Sequence, residues 1–149
     1  MRAIIQKVKS AKVEVENELI SSIKEGFLVF VAVREEDERK DIEYIKKKIE
    51  NIRIFEDENG KLNLALDKEK HQILLVSQFT LYADARKGNR PSFIKATTTS
   101  KAKDYYLTLA KEIENDGFNV KTGIFGADMK VFLINDGPVT IQLDSERLY

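Results

Sequence analysis

Phe27-Leu28-Val29-Phe30-Val31-Ala32-Val33 is an unbroken apolar run, and the residues after it change both character and period. A run of that length, bounded by turn and charge signals, reads as a strand buried on both faces. Glu35, Glu36, Asp37 and Glu38 then open a helix, where acidic groups meet the positive end of its dipole. Ile42, Ile45, Ile49 and Ile52 recur at three- and four-residue spacing along it. A buried strand followed by a one-sided helix means that helix and sheet share a core. Upstream, Ile5, Val8, Val13 and Val15 alternate with Lys12, Glu14 and Glu16. Leu19, Ile20 and Ile23 then lead to a turn at Lys24-Glu25-Gly26, so strands precede the central one.

Downstream, Asp57-Glu58-Asn59-Gly60 reads as a turn between short strands; it lacks the ligand spacing of a calcium loop. Ile73 to Phe79 is another apolar strand, and Tyr82 to Phe93 a loop punctuated by Gly88 and Pro91. A second helix starts at Thr98, Thr99 or Ser100, any of which can cap it. It buries Ala102, Tyr106, Leu109, Ala110 and Ile113 and ends at Gly117. Lys130 to Asn135 and Val139 to Leu143 are expected to be two strands joined by a hairpin turn at Asp136-Gly137-Pro138. The expected fold is α+β: a single domain over residues 1–149, with a mixed, mostly antiparallel, barrel-like sheet covered by two main helices.

The chain has 149 residues, 42% of them hydrophobic, enough for one core. Its 25 basic and 25 acidic residues cancel, which excludes a broadly basic nucleic-acid binder and an acidic disordered tail. The longest apolar run, Phe27 to Val33, is far short of the roughly 20 residues that span a bilayer. Met1 to Lys7 returns to charge too soon for a signal peptide, so a soluble, cytoplasmic protein is expected. With no cysteine and one histidine, there is no disulfide framework, no Cys-His nucleophile and no cysteine-bearing zinc site. Any Ser-His-Asp triad would have to use His71, which reads as a surface or edge residue. Neither metal nor cofactor is expected.

Three clusters could carry chemistry. Ala85 to Lys103 holds six bases (Arg86, Lys87, Arg90, Lys95, Lys101, Lys103) and no acid, with Phe93 among them. That strip could neutralise phosphates beside a stacking ring, or be a solvated face. Ser77-Gln78-Phe79-Thr80-Leu81 gathers polar and aromatic groups where a buried strand runs out into the basic loop. A strand end can present them to a ligand, although an edge strand bonding to neighbouring backbone would look the same. Asn135-Asp136-Gly137-Pro138-Val139-Thr140 is either a plain turn or a rigid backbone with exposed carbonyls. Gly123-Ile124-Phe125-Gly126 has the form of a nucleic-acid GxxG loop but no base between its glycines, and reads as a tight turn.

Taken together, Ser77 to Asp84, Lys87-Gly88-Asn89-Arg90-Pro91-Ser92-Phe93, Gly123 to Met129 and Asn135 to Thr140, with the opening Met1 to Val8 and Asn63-Leu64, resemble the D-aminoacyl-tRNA deacylases. The resemblance covers essentially the whole chain. It implies an enzyme that hydrolyses the ester of D-aminoacyl-tRNA, and of glycyl-tRNA, working as a homodimer with its active site at the subunit interface. It further implies that Ser77, Gln78, Phe79 and Thr80 are the catalytic residues lining the pocket. Phe125 and Met129 would bind the adenosine. Gly137 and Pro138, as a Gly-cisPro pair, would reject L-amino acids in the partner's pocket. Arg86, Lys87 and Arg90 are the expected contacts to tRNA phosphates, with affinity falling as salt rises. With no evident base for Thr80, substrate-assisted hydrolysis through the tRNA 2′-OH is favoured over a covalent threonine. A non-catalytic RNA-binding module is the alternative. Two segments depart from the usual pattern, Leu66 to Gln72 and Thr97-Thr98-Thr99.

Overall fold

The computed structural model describes residues 1–97 and 99–149; Thr98, one of the three candidate caps, lies outside the described residues. The chain runs β1 (Arg2–Val15), β2 (Glu18–Ile23), β3 (Gly26–Ala32), α1 (Arg39–Asn51), β4 (Phe55–Glu56), β5 (Leu62–Leu64), β6 (Gln72–Ser77), a 3-10 turn (Phe79–Tyr82), α2 (Ser100–Asn115), β7 (Asn119–Thr122) and β8 (Lys130–Asp144).

The alternation read in the first residues produces one long strand, because β1 has partners on both edges. Arg2 to Val8 pair antiparallel with β3, and Ala11 to Val15 with β2. On the opposite edge β8 accompanies β1 almost throughout. The sheet continues from β3 to β6 and β7, both parallel, in the order β2-β1-β3-β6-β7. Its two ends meet where the Ser21 hydroxyl donates to the Thr122 carbonyl at 2.9 Å, which gives the sheet its nearly closed barrel form. The expected mixed, mostly antiparallel sheet with two main helices is what the chain forms.

β3 is buried on both faces. Phe27, Val29 and Val31 face α1 and α2, joining Ile42, Ile45, Ile49, Tyr106, Leu109 and Ile113 in the larger core. Leu28 points into the barrel with Val8, Val13, Leu74 and Val76. The two cores explain the unbroken apolar run: each face of this strand packs on one of them, and only Phe30 is partly exposed.

Several boundaries differ from the sequence expectation. The acidic residues Glu35 to Glu38 precede α1 instead of forming its first turn. Asp37 is drawn inward to the Met1 ammonium at 2.6 Å and to the Arg34 N–H at 2.9 Å, and the Asp41 carboxylate accepts the Glu38 N–H at 2.7 Å. The strand expected to reach Phe79 stops at Ser77, because the Gln78 N–H donates to Val31 at 2.8 Å and the chain then turns out of the sheet. β7, too polar to be conspicuous, was not anticipated.

The largest correction concerns Asp136-Gly137-Pro138. This is no hairpin turn: Lys130 to Asp144 is one strand, β8, all of it laid along β1. The ladder pairs Gln6 with Thr140 and Val8 with Asn135, so residues 136–139 bulge out opposite Lys7. Pro138 has no N–H to contribute, and the ladder opens around it instead of reversing. The Gly137-Pro138 peptide bond is cis.

Gly26 opens β3 between two neighbours, Val8 on one side and Gln72 on the other. Its φ is +154°, and a Cβ there would lie 1.9 Å from the Gln72 carbonyl oxygen. Backbone cannot yield as a side chain can. Gly26→Ala is expected to lower stability by about 2–4 kcal/mol, read from the midpoint of chemical denaturation.

Candidate active site

A cavity of about 460 Å³ opens where β3 and β6 end. One wall is strand: Val31, Ala32 and Val33 beside Val76, Ser77, Gln78 and Phe79. The other comes from Ala102 and Tyr106 of α2 and from the loop that carries Phe125, Asp128 and Met129. The sheet therefore brings Ser77, Gln78, Phe79, Phe125 and Met129 together around one space, although some fifty residues separate the two groups in sequence.

Thr80 stands outside this lining. Its hydroxyl accepts a hydrogen bond from the Gln78 side-chain amide, which fixes the orientation of both. Phe79 is 44% exposed and meets Phe93 edge-on, with ring centroids 5.3 Å apart. Among the described residues no acceptor takes the backbone N–H of Phe79 or Thr80, whereas Gln78, Leu81 and Ala83 all donate to carbonyls. The first N–H groups of a helical turn have no partner within it.

The opposite wall is tied to the sheet by Tyr106. Its hydroxyl donates to the Leu75 carbonyl at 2.7 Å, and the Gly123 N–H reaches the same oxygen at 3.0 Å. Burial pushes the Tyr106 phenol well above its ordinary range, so it remains a neutral donor. The Tyr106 and Phe125 rings lie 5.9 Å apart. Tyr106 and Thr97 were not singled out from sequence as site residues. Tyr106 sits on the apolar stripe of α2 and reads as core, while Thr97 belongs to a segment read only as a departure from the family's pattern, although it is buried and lines the cavity.

Gly137 and Pro138 do not line this cavity; they are exposed on the bulge of β8. Asp136 anchors that bulge through Lys7 Nζ at 3.2 Å and Lys9 Nζ at 3.3 Å, and buried Lys7 also holds Glu56 at 2.5 Å. Burial works against the Asp136 carboxylate, but the bonds from Lys7 and Lys9 hold its pKa below the usual value. Gly137 has φ +128°, and an added Cβ would come within 2.7 Å of Val139 Cγ2.

Of the three basic residues expected on RNA phosphates, Arg86 is paired: its Nε and Nη2 reach the two Asp84 oxygens at 2.8 and 2.5 Å. Asp84 lies one residue before the acid-free strip. Lys87 and Arg90 form no ion pair among the described residues and are exposed.

The chemistry available in the cavity is that of neutral groups. It has a hydroxyl, an amide and aromatic faces, and its one carboxylate, the exposed Asp128, is tied to Lys130 at 2.9 Å. Among the described residues no three histidine or acidic side chains cluster as a metal would require.

The family model described as D-Tyr-tRNA(Tyr) deacylase matches residues 4–144. The chain belongs to this family. A D-aminoacyl-tRNA deacylase of Clostridium novyi (strain NT) is 50% identical over 147 residues, 99% of each chain. A solved structure named c-Myc DNA Unwinding Element Binding Protein is 40% identical, with a TM-score of 0.90 over 97% of this chain and 98% of its own. A second, described as a probable eukaryotic D-amino acid tRNA deacylase, shares the fold at 17% identity, with a TM-score of 0.78 over 95% of this chain and 97% of its own. As a member of the D-Tyr-tRNA(Tyr) deacylase family the protein is a hydrolase of the ester-cleaving class. No helix among the described residues is long and apolar enough to cross a membrane.

His71, the one histidine, has no part in the cavity. It stacks on Phe55 with ring centroids 3.9 Å apart, and its Nδ1 accepts the Asp67 N–H at 2.9 Å. Burial lowers its pKa below the ordinary 6.5. A base whose folded pKa lies below its unfolded one adds stability above the unfolded value and loses it as pH falls through the folded value. The lone imidazole signal in NMR is expected to titrate with a midpoint below 6.5, and thermal stability to fall as pH drops through that window.

Proposed function

We propose that the protein hydrolyses the ester joining a D-amino acid, or glycine, to the terminal adenosine of tRNA. The observation that carries this reading is the cavity itself: Ser77, Gln78 and Phe79 line it with Phe125 and Met129, and the N–H groups of Phe79 and Thr80 have no acceptor among the described residues. An ester needs little more than that. The adenine would lie against Phe125 and Met129. The ester carbonyl would point at the N–H groups, which stabilise the oxyanion as it forms. Attack by water breaks the acyl–oxygen bond, and the ribose oxygen leaves as a hydroxyl.

In this reading the base comes from the substrate. The cavity has no histidine, and Thr80 meets an amide donor instead of a proton acceptor. The ribose 2′-OH, adjacent to the scissile ester, is suited to orient the water and to shuttle a proton to the leaving oxygen. Lys87 and Arg90 would meet phosphates beyond the cavity mouth.

Selection by handedness is assigned to Gly137 and Pro138, working from one subunit in the cavity of a second copy. Two observations favour this. The pair is exposed at a bulge held by Asp136 and two lysines, and Phe132 and Ile134 of the same strand leave apolar surface uncovered, 47% and 61% exposed. Rigid carbonyls beside the substrate's α-carbon would bond its amino group and collide with an L side chain.

The decisive assay incubates the protein with D-tyrosyl-tRNA and L-tyrosyl-tRNA. Loss of the D-ester alone is expected; binding without turnover would favour an RNA-binding module, and indifference to both would remove the reading. The shared site has its own test. Gly137→Val and Phe79→Ala are each expected to be inactive as homodimers, yet co-refolded in equal amounts they should regain about a quarter of wild-type activity. Random pairing leaves half the dimers mixed, each with one intact site. No recovery would mean that Gly137 does not act in trans.

A further inference from the structure

We propose that Arg2 is a positioning residue for hydrolysis, clamping the Phe79–Tyr82 turn to the end of β8. Its guanidinium makes three contacts at once. Nε donates to Asp144 Oδ2 at 2.8 Å, Nη1 donates to the Leu81 carbonyl at 3.1 Å, and the central carbon lies 4.6 Å from the centre of the Tyr82 ring. Asp144 is itself fixed, with a fully buried side chain whose second oxygen accepts the Glu146 N–H at 2.8 Å. A continuous chain of polar contacts thus runs from the end of β8 through Arg2 to the turn that carries Phe79.

The turn depends on that outside hold. Its own bonds, Leu81 N–H to Gln78 at 3.2 Å and Ala83 N–H to Thr80 at 2.9 Å, close it upon itself without attaching it to the barrel. Gln78 is tied to β3 before the turn begins. Tyr82 is buried, but among the described residues its hydroxyl has no partner, so its ring is kept in place by packing and by the guanidinium above it. Phe79, 44% exposed and touching Phe93 edge-on, takes its position from the backbone that carries it. A planar fork with two donating edges and a stacking face can serve all three contacts; a lysine ammonium cannot.

This role rests on the reading of Ser77 to Phe79 as the substrate wall. A shift of the turn by a fraction of an ångström would leave tRNA binding intact and spoil the geometry of attack, so the loss belongs in kcat. The experiment compares Arg2→Lys, Arg2→Met and Phe79→Ala with wild type in steady-state deacylation of D-tyrosyl-tRNA, alongside thermal melting. Arg2→Lys keeps the charge opposite Asp144 and should melt near wild type. It is nonetheless expected to lose about tenfold in kcat with KM changed by less than about twofold, and Arg2→Met to lose at least as much. If Arg2→Met fails to fold, Arg2→Lys alone decides. Wild-type kcat in Arg2→Lys, or a loss expressed only in KM, overturns the clamp. Should Phe79→Ala also retain wild-type turnover, the substrate wall itself is misassigned; a loss in Phe79→Ala beside full activity in Arg2→Lys removes only the clamp.

Discussion

Everything in this barrel hangs on β1 having partners along both edges. A backbone strand buried between neighbours must satisfy each N–H and C=O, and β1 does so with β8 on one side and with β3, then β2, on the other. The change from β3 to β2 near Val8 turns a sheet into a barrel. It also explains the close approach at Gly26, which stands where β3 begins between β1 and β6. The same strand carries Arg2 at one end and Lys7 in the middle, the first reaching the turn beside the cavity and the second the bulge of β8.

The placement of charge follows from that frame. Lys7, 1% exposed, is buried between Glu56 and Asp136, an arrangement that contributes more to geometry than to stability. Arg2 and Asp144 are similarly committed. The cavity contains the opposite kind of chemistry: hydroxyl, amide, backbone N–H and aromatic surfaces, with ionised groups kept to its mouth. The ionic contacts hold the frame, and mostly neutral groups line the cavity. At the surface too charges are paired locally, as Arg86 is with Asp84.

What the sequence disclosed, it disclosed through periodicity. Phe27 to Val33 and the isoleucines of α1 announce themselves because both faces of one and a single stripe of the other are apolar. The short strands around Asp57 to Gly60 are legible from turn chemistry. Asp136-Gly137-Pro138 misleads for the same reason that it is informative: its residues are those of a turn, and only the length of β1 reveals that the flanking segments continue in one direction. β7 was invisible because half of Asn119-Val120-Lys121-Thr122 faces outward. In the cavity, Ser77 to Phe79 and Phe125 to Met129 stand out as strings. Thr97 and Tyr106 do not, since a buried threonine and a core tyrosine acquire meaning only when the fold sets them beside a space.

The selectivity proposed for the bulge on β8 carries a kinetic consequence. Many enzymes select their substrates with loops that close, and their discrimination then depends on how often and how completely the loop shuts. Here Gly137 and Pro138 project from the interior of a strand whose two flanks are both laddered to β1, with two lysines gripping the residue before them. Such a projection is held from both flanks and is not hinged as a loop is. In the role proposed for this pair, a substrate would meet a fixed obstacle on first arrival and be turned away or admitted at the rate of encounter.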